Sequence, residues 1–422
     1  MRLTMLALAL GCFALPSSWA AAASDASADD LDALSLADKS PEPPVQPPPQ
    51  WRLFVEGAGG AGKLRASDAD FGILRGSVDF RLDVKLAPEL RAVFSDRMDL
   101  VDSDGVPPGE NLNTVREAYL SWARRDDQIF DLGRVNIRNG AAMGFNPTDW
   151  FKANALRAIV NPDPAVLREN RQGTVVVQAQ QLWSEASLTA AFSPRLARSS
   201  DSATFALNAG ATNPNNRYLV AGSYKVGDTF SPQLLIYGGV DIPPQVGLNL
   251  STVIGESMVV YGEVAVGKGI PLTAQALAVA QTNSRQQRAT LGLTYTTSFN
   301  LTVSAEAQYS SAGPNDTEWQ ALDSSAQQQL LSTAQALQDL PSRSQGFLQA
   351  LWKDLFVPRF DLSGFLRQDI ETNSQAFWIE GRYSWEKLQL ALQWQAFTGA
   401  PGSLYHAVPQ QQTLQLVLRA YL

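Results

Sequence analysis

Residues Asn300 to Tyr309 read NLTVSAEAQY, with Leu301, Val303, Ala305, Ala307 and Tyr309 at one parity and Asn300, Thr302, Ser304, Glu306 and Gln308 at the other. Successive side chains leave a β-strand on opposite sides, so a period of two predicts a strand with one apolar and one polar face. The apolar face could meet a protein core or a lipid bilayer, because soluble antiparallel sheets and membrane barrels share this pattern. The remainder of the chain has to decide between them.

The same alternation recurs from Trp51 onward over 51–59, 73–86, 89–100, 114–124, 127–137, 172–183, 185–194, 216–226, 230–240, 245–254, 256–267, 286–297, 299–309, 344–353, 358–368, 374–384, 387–397 and 411–422. That gives about 18 strands, with 16 as the alternative count, most of them roughly the ten residues a tilted strand needs to cross hydrocarbon. Connections alternate in length. Leu86/Glu89, Arg124/Asp127, Trp183/Glu185, Val226/Phe230, Ile254/Glu256, Thr297/Phe299, Lys353/Pro358 and Trp385/Lys387 flank tight turns, whereas 138–171 and 310–343 are long. Sorting of loops by parity predicts an all-β, closed antiparallel transmembrane β-barrel with short periplasmic turns and long extracellular loops. Aromatic residues support it. Trp122, Trp183, Tyr224, Tyr295, Tyr383, Trp385, Phe230 and Phe299 flank the short turns, as an interfacial girdle would, and Trp394 and Tyr309 stand at the opposite ends.

Composition agrees with a barrel. Charged residues are 18%, below the usual quarter. No apolar run after residue 22 approaches the ~18 residues of a membrane helix, so any crossing uses strands. The opening MRLTMLALALGCFALPSSWA has one basic residue, an apolar core and small residues before a cleavage point, which predicts a signal peptide over 1–22. The one cysteine, Cys12, lies in it, so the exported chain has no disulfide or thiolate metal site. Residues 23–49, acidic and then Pro-rich, read as a flexible periplasmic tail, leaving 50–422 for the barrel.

If the apolar faces meet lipid, the polar faces surround a lumen. The inward basic residues are then Arg81, Lys85, Arg91, Arg97, Arg134, Arg138, Arg217, Lys225, Arg288, Arg367, Arg382 and Arg419, against Asp79, Asp83, Glu117, Glu263, Glu306, Asp361 and Glu380. Twelve against seven leaves the lining about five charges positive although the whole chain is −8, which would favour anions. Pairs such as Arg81 with Asp83, or Glu380 with Arg382, could instead cancel. The 138–171 loop, carrying Asp149, Trp150, Lys152, Arg157 and Arg168 between two Asn-Pro turns, is the candidate constriction, with an ordinary external loop as the alternative.

The stretch EAYLSWARRDDQIFDLGRVNIRNG (117–140), the leader, the loop parity and the final strand QQTLQLVLRAYL resemble the porin-like family of Gram-negative outer-membrane barrels. The strand count and arginine-bearing lumen are similar to its alginate-export type. The resemblance implies a cell outer-membrane channel passing hydrophilic anionic solutes or polymers. Implied partners are outer-membrane lipids, lipopolysaccharide and the assembly machinery, the last because it recognises such end strands. No cofactor, catalytic residue, metal or nucleic-acid partner is expected. Two alternatives stay open: a barrel with a closed lumen serving structure, adhesion or assembly, and a membrane-embedded hydrolase. For the last, only His406 near Ser403 offers a base and a hydroxyl.

Overall fold

The computed structural model describes residues 50–105, 108–227 and 229–422; the expected signal peptide and tail lie outside them. Eighteen strands follow one another: β1 (Trp51–Leu64), β2 (Asp70–Ala87), β3 (Leu90–Ser103), β4 (Leu112–Arg125), β5 (Gln128–Val135), β6 (Thr174–Leu182), β7 (Ala186–Ser193), β8 (Arg217–Tyr224), β9 (Gln233–Gly239), β10 (Ile242–Ile254), β11 (Met258–Gly269), β12 (Ser284–Thr296), β13 (Leu301–Ser310), β14 (Ser344–Trp352), β15 (Phe360–Asp369), β16 (Ser374–Ser384), β17 (Leu388–Thr398) and β18 (Gln410–Tyr421). Each pairs antiparallel with its neighbours in sequence, and β1 pairs with both β2 and β18. The sheet therefore closes, and closure leaves no strand edge to satisfy. Among the described residues no helix is long and apolar enough to cross a membrane.

The opening stretch now has its orientation. In β13, Ser304, Glu306 and Gln308 are buried while Tyr309 is 38% exposed. The same division holds in β12, where Thr290 is buried and Leu291 is 64% exposed, and in β18, where Val417 is buried between exposed Leu416 and Leu418. Apolar side chains face outward around the ring, and polar and charged ones face its centre. This arrangement is stable only if the outer surface meets an apolar solvent.

Every expected strand is present. Loop parity holds for 136–173, 194–216 and 311–343, and breaks where 240–241 and 370–373 make tight turns on the long-loop rim. Asp241, at φ 65, takes the left-handed conformation that so short a hairpin demands. The girdle at the short-turn rim is outward: Trp122, Trp183, Tyr224, Tyr295, Phe299 and Trp385 are each about half exposed. Several rings touch across strands, including Trp122 with Phe130 and Phe299 with Trp352, each at 5.6 Å.

One irregularity resets a face. Between Ser95 and Asp96 the β3–β4 register shifts, so that Ser95 pairs with Glu117 and Asp96 with Val115. The residue left over is Arg116, and Thr114, Arg116 and Glu117 all come to lie on the inner side. A bulge does this because two residues on one strand oppose one on the other.

Candidate functional site

The loop between β5 and β6, residues 136–173, runs into the barrel and is seated against the inner wall of β10 to β15. Its backbone amides are held by two carboxylates from that wall. Glu263 Oε1 accepts from the Ala142 amide at 2.7 Å, and Glu306 accepts from Met143 at 2.5 Å and Gly144 at 3.0 Å. Tyr261 and Gln308 donate to the same Glu306 carboxylate and hold it in place. The carbonyls are taken up too. Thr290 donates to Phe145 O at 2.8 Å and Arg367 to Gly144 O at 3.1 Å. A side chain at Gly140 would strike Glu263, and one at Gly144 would strike Gln308 and Phe347, so only glycine permits so close an approach.

Further along the loop, Thr148 donates to Asn249, and Trp150 donates to Gln245 and stacks on Tyr237 at 5.0 Å. Arg171 closes on Asp149 at 2.6 Å with both side chains buried. Arg168 reaches back to the carbonyls of Gly140 and Ala142. The short helix Pro164–Glu169 is capped by Asp163, which accepts from the Ala165 and Val166 amides. Over the loop lies a second one, 311–343, with the helix Ser324–Leu337. Gln338 at its end donates to Lys152 O and accepts from Arg171, and Arg288 pairs with Asp339 at 2.9 Å.

Lys152 is buried here, its ammonium 2.6 Å from Asn146 O and over the Phe145 ring at 4.3 Å. Burial lowers its pKa from 10.5 to about 8. A group whose pKa falls on folding sheds its proton more readily in the seated loop than in a released one, so seating strengthens as pH rises from about 8 to 10.5. Current noise from loop movement should therefore fall between pH 7 and 10 in bilayer recordings, and Lys152→Met should remove that dependence. A pH response that survives the substitution would place its origin elsewhere.

Opposite the seated face, β1 to β4 and β18 carry an arginine cluster. Glu56 is shared by Arg75, Arg97 and Arg419, the last two at 3.3 and 2.7 Å. Arg97 also pairs with Asp99 at 3.0 Å and Asp79 at 3.5 Å, and Arg116 pairs with Asp79 at 2.7 Å. Arg116 further donates to Asn170 of the loop, and Arg52 to Glu169. Between this wall and the loop residues Val160, Asn161 and Val166 a gap remains, bordered by Arg75, Arg97, Arg382, Arg419, Glu56, Gln389 and Gln393. It is small, about 20 Å³, which is room for one or two waters.

The residues singled out in the sequence therefore separate. Arg97, Arg382 and Arg419 border the gap, and Glu263, Glu306, Arg367, Asp149, Trp150, Lys152 and Arg168 seat the loop. Arg288 anchors the covering loop, and Arg217 lies over the Phe151 ring at 4.7 Å. Arg81 pairs with Glu117 at 3.2 Å, and Arg91 with Asp83. Lys85 is exposed towards the short-turn rim, and Arg138 is half-buried at the root of the loop. Three expectations need correction. Arg134 pairs in register with Ala118 and Val175, on the face of exposed Leu132 and Val177, and its guanidinium donates to the carbonyls of Gly173 and Leu207. Arg157 donates to Asn113 O of β4 and to Ala203 O and Ala206 O of the β7–β8 connection, and does not border the gap. Lys225 lies beyond the end of β8, in a turn.

Sequence reasoning passed over Glu56, Arg75, Asp99 and Arg116. The first three have inward parity on segments correctly read as strands, so parity could have found them. Arg116 is inward only because of the bulge. As for the hydrolase reading, Ser403 is buried and its hydroxyl donates to Ala400 O at 2.7 Å, while burial, with Arg65 nearby, lowers the pKa of His406.

No family model and no curated protein matches the sequence. Solved structures do match. OccAB1 of Acinetobacter baumannii superposes with a TM-score of 0.58 at 9% identity, over 88% of this chain and 96% of that one. OpdQ of Pseudomonas aeruginosa gives 0.53 at 8% identity over 88% and 98%, and OccK5 (OpdH) of the same organism gives 0.52 at 10% over 88% and 97%. At these identities the likeness is one of fold, and the fold is that of the porins.

Proposed function

We propose that this chain is an outer-membrane channel for small hydrophilic solutes with a preference for anions, and that the 136–173 loop is its constriction. One observation carries the reading. Four guanidinium groups, from Arg75, Arg97, Arg382 and Arg419, border the gap beside the loop with Glu56 as the one carboxylate on its border, while their other partners Asp79, Asp99 and Glu380 stand behind. Guanidinium groups that face a passage with low-dielectric walls lower the barrier for an anion and raise it for a cation. A passive channel of this kind needs no cofactor, and its surroundings are outer-membrane lipid and lipopolysaccharide.

The test is electrical. Purified protein in planar bilayers should give discrete steps, and a salt gradient should give a reversal potential of the anionic sign. Arg382, with a quarter of its side chain open to solvent and 2.5 Å from Glu380, is the cluster member that can be changed with least disturbance. Arg382→Glu should lower the anion-over-cation permeability ratio about two- to fivefold. An unaltered reversal potential would remove the cluster from selection, and silence of the native protein would favour the closed-lumen barrel.

A further inference from the structure

We propose that residues 203–207, a turn in the loop joining β7 to β8, act as a substitute segment of the barrel wall, and that Phe205 and Leu207 on its outer face are immersed in the acyl chains of the surrounding leaflet. The need for a substitute arises where the constriction loop leaves the wall. The ladder between β4 and β5 extends from Arg125/Gln128 only as far as Ala118/Arg134, so β4 from Leu112 to Glu117 has no β5 partner. In its place the Asn113 amide donates to Thr204 O at 2.8 Å, and the Gly173 amide donates to Arg116 O at 2.7 Å. Two arginines fasten the patch. Arg157 donates to Asn113 O, Ala203 O and Ala206 O, and Arg134 donates to Leu207 O at 2.7 Å.

The Ala206 amide donates to Ala203 O at 3.0 Å and closes a turn that directs Phe205 and Leu207 outward. Phe205 is 75% and Leu207 63% exposed, with Thr204 and Ala206 partly covered between them. Their occupant follows from continuity with the lipid-facing belt. On β5 the outward column runs Phe130, Leu132, Arg134, so the belt is interrupted by a guanidinium that the patch engages through the Leu207 carbonyl. Strand length points the same way. β5, β7 and β8 have 8 residues each, which at usual barrel tilt cover about 20 Å, short of the about 25 Å apolar band. Phe205 and Leu207 supply the missing height with the side chains that acyl chains accept.

The inference rests on the membrane-spanning reading of the barrel and not on transport of any solute. Its test uses single cysteines carrying an environment-sensitive nitrobenzoxadiazole label, in full chain with Cys12→Ser, refolded into phosphatidylcholine vesicles. Phe205→Cys is compared with Val177→Cys, in the belt, and Ser200→Cys, on the exposed part of the same loop. Emission at 205 should be blue-shifted and quenched by doxyl-labelled lipid within about twofold of that at 177, while 200 is quenched by aqueous iodide. Label at 205 behaving as at 200, with 177 lipid-quenched, would overturn the patch alone. Water-like emission at 177 would overturn the membrane reading and the patch with it.

Discussion

Replacing Glu263 and Glu306 together by glutamine should raise single-channel conductance on the order of three- to tenfold and make the open level noisy if the 136–173 loop constricts the lumen as proposed, because that loop then loses the grip on three successive amides. Each carboxylate bond to those amides is charge-assisted, worth about 1.5–3 kcal/mol, and glutamine offers a weaker acceptor together with an amino group that opposes the same N–H donors. The remaining attachments do not replace the clamp. Thr290 and Arg367 grip carbonyls, and the Met143 contact with Phe347, Phe365 and Trp378 is apolar and slides more readily than a pair of hydrogen bonds breaks. The barrel itself should still migrate as a folded species on an unheated gel, since its ladders are untouched. Equal conductance in the native protein and the double variant would show that 136–173 does not limit flow. A silent native protein with a conducting variant would instead make the loop a plug.

Much of this was readable beforehand, and the part that was not has a physical cause. All strands were visible because burial on one side imposes strict alternation, and a one-residue slip would expose every polar group to lipid. The inward position of Glu306 followed directly from that parity. The clamp did not, because an amide of a loop more than a hundred residues distant leaves no trace in the alternation around Glu306. Arg116 shows a second limit. Counting by twos from Tyr119 puts it outside, and only the register shift at Ser95 and Asp96 turns it inward. Arg134 and Arg157 show a third. Arginines in a segment expected to constrict the lumen look like selectivity groups, yet both seal a stretch of wall that β5 vacates. A signal did exist in the loop that fills it, where Phe205 and Leu207 repeat the period of two within an otherwise polar segment.

The orientation of the two faces yields the most direct test of the molecule. Leu291 lies near the middle of β12 with its side chain pointing outward, and Ser363 lies near the middle of β15 with its side chain inward and half-buried. Arginine at 291 should cost about 2–4 kcal/mol, the value for a guanidinium on a lipid-facing site near the bilayer midplane. Arginine at 363 enters a lumen already furnished with guanidinium groups and carboxylates, Glu380 among them as its neighbour in register, and should cost within about 1 kcal/mol. Denaturant titration in lipid vesicles measures both, and the difference corresponds to a thirtyfold or larger change in the folded-to-unfolded ratio at the midpoint of that range. A reversed order, with 363 the costly site, would mean that water lies outside the ring and an apolar core within it. Equal costs would mean that neither face meets hydrocarbon. The asymmetry is expected because a strand can hide its backbone from lipid by pairing on both sides, but a charged side chain on the outer face has only acyl chains to meet.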